Sequence, residues 1–344
     1  MTVYNLKLFE QLNEEYRLMT AENGGRGLFP SSHLVIYDRF SKSNDEHNAR
    51  KSRLEYMKRV VNRIENDFPS MKQNLDVRGL TERGRLGSKL RDLLRDVDIS
   101  EKNVVEIGCG HGWVSDGMVR YAGATSVIGL DVRDYPWDVH SHQSLKLIKA
   151  DLSRDQVLAN ASADVVVSFV VMEHVSRPIQ MLRAIYDVLR PGGVAWLRFN
   201  LYRGWNASHR ATGSAQVFFP WPHLLFESDI CKEYFKKHTG APHGYSWVNK
   251  MTISEYLTAS VDAGFEIEFV DLIQSPIDYK FYHRFEDKLG KYPALDLSTP
   301  FMKMILRKPD SLPSGYIPSP GYCAAQRELD DNLKSFLADQ SSGA

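Results

Sequence analysis

Residues Val104–Gly112 read Val-Val-Glu-Ile-Gly-Cys-Gly-His-Gly. An apolar run holding one carboxylate passes straight into a turn with glycine at alternate positions. Glycine lets the chain turn sharply and admits a ligand to the main chain where a Cβ would collide. A short strand ended by such a turn is how an open α/β sheet presents a nucleotide-like ligand. Asp131 closes the next apolar run, Val127–Asp131, 21 residues beyond Gly110. A carboxylate there can make charge-assisted hydrogen bonds with a diol. Asp151 and Leu152 follow a third run, and Ser168, Phe169 and Val170 end a fourth. Singly, Asp131 and Asp151 also read as ordinary turn residues; their shared position at successive strand ends makes them a set.

These ends need a scaffold. Apolar runs predict strands at 103–107, 126–131, 145–150, 164–170 and 194–199, with two more at 265–272 and 301–307. Leu182, Ile185, Tyr186 and Leu189 mark a helix, with Pro178 at its start and Pro191-Gly192-Gly193 after it. Thr252 and Glu255 form a capping box for a further helix that stops near Gly264. Strands alternating with helices imply crossovers and a parallel sheet. Upstream, Leu54, Met57, Val60, Val61, Ile64 and Phe68 form one apolar stripe, and 85–95 is amphipathic, so residues 1–95 read as a helical extension. The basic residues on the first of these helices, Arg50 to Arg63, read as a solvated face. The tail, 311–344, offers one weak helix around 324–338.

Basic and acidic residues number 43 each, so the chain has no net charge. That argues against a nucleic-acid backbone or an acidic membrane as the main partner. Cys109, Cys231 and Cys323 have neither zinc-ligand nor disulfide spacing, which fits a reducing compartment. The chain shows no apolar run long enough to span a membrane and no leader, so the expectation is a cytoplasmic protein.

Val104–Gly112, Val127–Asp131, Lys149–Leu152, Ala163–His174 and Leu189–Gly193, in that order, resemble class I S-adenosylmethionine-dependent methyltransferases, in particular the broad ubiquinone-type group. The resemblance covers about 95–310. It implies a Rossmann-like α/β fold with a seven-stranded sheet, the helical extension at 1–95, a methyltransferase domain at 96–310 with an aromatic-rich cap at 201–249, and the tail. It implies S-adenosyl-L-methionine as cofactor and S-adenosyl-L-homocysteine as product; no cluster of carboxylates stands out in the sequence, so no metal is expected. By resemblance Gly108, Gly110 and Gly112 give access to the methionine part, with Glu106 orienting the turn from behind. Asp131 takes the ribose, Asp151 and Leu152 the adenine, and Ser168, Phe169 and Val170 flank the reactive methyl. Trp113 and Val132 join this set, as does Cys109, which alone also reads as a small packing residue.

The implied chemistry needs the acceptor aligned with the methyl carbon, and most of the rate can come from positioning. A hydroxyl acceptor must also lose a proton, a task suited to histidine. The candidates are His174, just past the fourth strand, and His209 and His223 in the insertion; each also admits a packing role. The insertion holds ten aromatic residues in 49 positions, a wall for a flat or sugar-like acceptor or a small second core. The expected activity is O-methylation of a small hydroxylated acceptor, a sugar, glycan intermediate or natural product. Transfer to carbon or nitrogen of a small metabolite is an alternative. A nicotinamide-dependent dehydrogenase is disfavoured because Trp113 stands where its third glycine belongs; a non-catalytic cofactor-binding protein is disfavoured by the intact motifs. The partner is a small molecule; a homodimer is left open.

Overall fold

The computed structural model describes residues 3–24, 28, 31–38, 44–67, 84–205, 217–239 and 247–310. In chain order the main elements are α1 (Leu6–Glu22), β1 (Ser32–Asp38), α2 (Asn44–Asp67), α3 (Leu86–Asp96), β2 (Asn103–Ile107), α4 (Trp113–Arg120), β3 (Ser126–Asp131), β4 (Leu145–Lys149), β5 (Ala163–Phe169), α5 (Pro178–Val188), β6 (Leu189–Asn200), α6 (Pro222–Leu225), α7 (Ser228–Thr239), α8 (Ile253–Asp262), β7 (Glu266–Gln274) and β8 (Phe301–Arg307), with short helices Tyr279–Arg284, Glu286–Leu289 and Ala294–Ser298 between β7 and β8. Phe68, His209, His243, Tyr245 and the tail helix expected at 324–338 lie outside the described residues.

One eight-stranded sheet has the order β1-β7-β8-β6-β5-β2-β3-β4. β2 to β6 pair in parallel, and β8 inserts antiparallel between β6 and β7. The seven strands read from the sequence are present, and β1 is an eighth. It pairs antiparallel with β7 and corrects the all-helical reading of 1–95. His33 Nδ1 of β1 lies 2.8 Å from Asp271 Oδ2 of β7, which ties the added strand to the sheet.

Helices cover both faces, as parallel strands require. On one face α5 and α8 pack on Val105, Ile107, Val166, Ala195 and Leu197. Thr252 and Glu255 complete the expected capping box of α8. On the other face α2, α3 and α4 pack on Val104, Val127, Val165 and Trp196. Val60, Ile64, Leu86, Leu90, Leu93 and Leu94 are buried there, so the stripe read on α2 faces α3 rather than solvent.

A third apolar cluster sits apart from the sheet faces. Phe9, Leu12 and Tyr16 of α1 meet Phe219, Trp221, Phe226, Tyr234 and Phe235 of the insertion and Phe281, Phe285 and Leu289 near the C-terminal end of the fold. Phe9 lies edge-on to Phe219 with centroids 4.9 Å apart. Asn13 fixes the register: its Nδ2 donates to Tyr234 Oη at 2.7 Å and its Oδ1 accepts from Phe218 N at 2.7 Å. α1 and the insertion are therefore one unit, although about 200 residues separate them in sequence.

Leu90 is fully buried between α4 and the sheet. Leu90→Ala is expected to lower the unfolding free energy by about 2–5 kcal/mol, measured from urea unfolding at an unchanged m-value.

Candidate functional site

The glycine turn is held by the strand beside it. β2 and β3 run in register from Asn103↔Ser126 to Ile107↔Leu130. Just past that ladder, Gly108 N and Cys109 N both donate to Leu130 O, at 2.7 and 3.0 Å. Gly110 N then donates to Asp131 Oδ2 at 2.9 Å, and Arg133 N to Asp131 Oδ1 at 3.0 Å. The structure thus brings Asp131 and the turn into direct contact, and the carboxylate is oriented by two main-chain donors. Each oxygen keeps acceptor capacity for a further donor such as a ribose hydroxyl.

Gly108, Gly110 and Gly112 all have positive φ, at 73°, 54° and 83°. At Gly108 a Cβ would lie 2.2 Å from Val171 Cγ2, so the close approach of the chain after β5 also demands glycine. Gly112 caps α4, whose first turn carries Ser115. Ser115 Oγ donates to Glu106 Oε2 at 2.5 Å, and Glu106 is 1% exposed. Glu106 therefore sits behind the turn and ties β2 to α4.

Two residues not singled out from sequence grip the turn from outside. Trp137 Nε1 donates to Gly110 O at 2.8 Å, and His140 Nε2 lies 2.7 Å from His111 O. Both belong to the segment after β3 that also carries Asp131 and Val132. His140 also lies 3.8 Å from Asp116 Oδ2, which Arg120 Nε reaches at 2.7 Å. Burial pushes the Asp116 carboxyl up, and His140 and Arg120 more than offset that, holding it below its ordinary value. Trp113 packs edge-on to His140 at 4.7 Å. Because the signal is hydrogen bonding to main-chain carbonyls, no residue spacing could have revealed Trp137 and His140.

The remaining expected positions divide. Val132 is 59% exposed beside Asp131, an apolar surface open to a flat ring. Asp151 Oδ1 accepts from Ser153 N and Oγ, and Arg154 Nε lies 3.2 Å from Oδ2, so its own loop orients it. Leu152 is buried in the core. Cys109 is buried in the turn. Ser168 and Phe169 turn their side chains inward, Ser168 Oγ to Ile107 O at 3.3 Å and Phe169 against Trp196. Any part they take in a ligand site is through the main chain. Val170 has φ 60° and its N–H donates to Arg198 O at 2.7 Å, which ends β5 in a left-handed kink.

Past that kink, a clasp forms. Asn249 N donates to Glu173 O at 2.8 Å, and Asn249 Nδ2 reaches Met172 O at 2.7 Å and Val175 O at 3.2 Å. His174 is exposed, with Nδ1 3.2 Å from Trp247 O. A carbonyl only accepts, so Nδ1 carries the proton and the basic lone pair of the neutral ring is on Nε2. Below it, Asn200 Nδ2 donates to Glu173 Oε1, joining the end of β6 to the end of β5. His223 packs edge-on against Tyr202, past the end of β6: it is 6% exposed, with Nε2 2.6 Å from Tyr202 O. Burial pushes its pKa down to about 4, which makes it a weaker base than an exposed histidine. Phe219, Trp221, Phe226 and Tyr234 are buried with it, so for them the second-core reading holds.

Among the described residues no cluster of ligands for a metal ion is found, and no helix is long and apolar enough to cross a membrane. A cavity of about 380 Å³ lies at the opposite sheet edge, lined by Arg53, Asp98, Lys102, Asp164, Arg190 and Glu268 among others, where cations and carboxylates balance.

Residues 80–239 match a family model described as a methyltransferase domain. The matched stretch, just under half of the chain, is thus similar to a methyltransferase domain. It is 35% identical over 109 residues to a ubiquinone biosynthesis O-methyltransferase of Ruegeria pomeroyi, covering 30% of this chain and 43% of that protein. A protein of the same name from Pseudomonas entomophila is 35% identical over 104 residues, 28% of this chain and 44% of its own length. The chain thus spans less than half the length of these relatives. An S-adenosylmethionine dependent methyltransferase structure from Mesorhizobium loti aligns with a TM-score of 0.40 at 21% identity, covering 61% of this chain and 93% of that one.

Two outcomes check this geometry. Gly108→Ala is expected to abolish cofactor binding, and Val171→Ala in the same chain to restore part of it, since the two Cγ clashes go while the Val171 Cβ stays 3.0 Å away and left-handed strain of about 1–2 kcal/mol remains; calorimetry with S-adenosylhomocysteine reads both. For His223, the unfolded imidazole titrates near 6.5 and the folded one near 4. Between these values the unfolded chain binds the extra proton, so stability falls as pH drops from 6.5 towards 4, by about 2–3 kcal/mol. Urea midpoints over this range should decline less steeply in His223→Gln.

Proposed function

We propose that this chain transfers a methyl group from S-adenosyl-L-methionine to an oxygen of a small hydroxylated acceptor. The observation that carries the reading is the coupling of the glycine turn to Asp131 through Gly110 N. It sets the glycine turn, where Gly108 is half-buried, beside an oriented carboxylate, the pairing that an amino-acid end and a ribose need.

In this reading Gly108, Gly110 and Gly112 hold the amino-acid part, Asp131 the ribose hydroxyls, and Val132 with Asp151 the adenine. The bound cofactor supplies a methyl group already activated by its sulfonium. The protein then has three tasks. It holds the acceptor in line beyond β5 and β6, which supplies the largest rate factor. It keeps water away with the cap at 201–249. It accepts the hydroxyl proton, for which His174 Nε2 is the candidate base; His223 is too deeply buried and too weakly basic to compete. Oxygen as the acceptor atom is supported by the described histidine at this edge and by the names of the curated relatives. The unit 96–310 is read as the cofactor-binding domain, and α1 as part of the cap.

Isothermal titration calorimetry with S-adenosylhomocysteine tests the reading. Micromolar binding is expected, weakened about tenfold or more, ~1.4 kcal/mol, in Asp131→Ala. Absence of binding to the wild-type protein would overturn the cofactor assignment, and unchanged affinity in the variant would remove Asp131 from the ribose role.

A further inference from the structure

The end of the clasp carries a cation that the reading above does not use. Lys250 follows Asn249, whose three side-chain and main-chain bonds to 172–175 fix the backbone beside the end of β5. Lys250 itself has φ 59°, a left-handed conformation unusual for a lysine and of the kind that persists where the surroundings impose it. Its Nζ stands 5.0 Å from the ring centroid of Tyr202, two residues past the end of β6. The ammonium is therefore held beside the carboxyl ends of β5 and β6, the edge where the acceptor must sit.

No carboxylate answers it among the described residues. Arg203, its neighbour past β6, is by contrast paired with Asp296 at 2.7 Å, and Lys237 of α7 with Glu10 at 2.7 Å. Residues 201–250 hold Arg203, Arg210, Lys232, Lys236, Lys237 and Lys250 against Glu227, Asp229 and Glu233, a modest basic excess. Partial desolvation also lowers the Lys250 pKa, with no opposing carboxylate to raise it.

We infer that Lys250 is the anion-recognising residue of the acceptor site, and that the acceptor carries a carboxylate or phosphate group beside the hydroxyl that is methylated. The inference rests on the methyl-transfer reading for the identity of the site, but the anion subsite has its own readout. An exposed ammonium held over an aromatic ring, with no carboxylate partner among the described residues, can donate a charge-assisted bond to a ligand anion. Tyr202 adds an apolar face next to that anion, so an aromatic or ring acceptor bearing the charge fits better than a bare ion.

The test uses the full chain loaded with S-adenosylhomocysteine and titrates it by calorimetry with inorganic phosphate and, separately, with benzoate. Saturable millimolar binding of at least one is expected, kept within about twofold in Lys250→Arg and weakened about tenfold in Lys250→Gln. The stronger of the two tells phosphate from carboxylate. Absence of binding of both anions to the wild type, or equal binding by Lys250→Gln, overturns the inference while leaving the cofactor assignment intact. Failure of S-adenosylhomocysteine to bind overturns the cofactor assignment instead; the anion titrations on the unloaded chain then still decide the role of Lys250.

Discussion

The bond from Gly110 N to Asp131 Oδ2 ties the two halves of the site to one another. It can form only because β2 and β3 are in register up to Ile107↔Leu130, which delivers the turn and the carboxylate to the same height. A one-residue slip would turn Asp131 to the other face of the sheet. Leu130 O takes Gly108 N and Cys109 N, and Trp137 and His140 close on the carbonyls of Gly110 and His111. Every polar group of the turn so engaged has its direction fixed before a ligand arrives. Each bond is worth only about 1 kcal/mol net, yet the set defines one conformation of a glycine-rich loop that would otherwise have many.

The part of this that sequence discloses is the part written in local pattern. Apolar runs with glycine or aspartate at their ends located β2 to β5, and Thr252 with Glu255 located α8, because burial and capping leave periodic or fixed-offset traces. β1 carries a similar run, Leu34-Val35-Ile36-Tyr37 closed by Asp38, but the helical stripes around it dominate 1–95, and its residues are exposed almost throughout while its partner β7 lies more than 230 residues away. The inward turn of Ser168 and Phe169 was equally unreadable, since the pleat sends strand-end side chains into the core whatever role their main chain has. For the aromatic insertion, composition allowed two accounts. Only the tertiary packing of Phe9 against Phe219 and Tyr234 decides for a core.

That core has a consequence for the site. The insertion leaves the sheet after β6 and returns before α8, so both its ends are anchored at elements of the main fold. Its middle is anchored to α1 through Asn13 and the Phe9 cluster. A cap fixed at its ends and its centre has little freedom to move as a whole without breaking buried aromatic contacts, each pair worth about 0.5–1.5 kcal/mol beyond its area.

Beneath the acceptor edge the polar groups form one network instead of separate pairs. Glu173 meets Asn200 from β6 and, through its carbonyl, Asn249; Asn249 meets Met172, Val175 and Tyr256 Oη, which itself reaches Met172 O at 3.3 Å. Burial holds the Tyr256 phenol well above its usual pKa, so it remains a neutral donor at every pH at which the fold stands. Such a network strengthens cooperatively in a low dielectric, and breaking one member exposes the rest to the penalty of unmatched burial. The exposed ring of His174 is thus mounted on a stiff base that spans β5, β6 and α8.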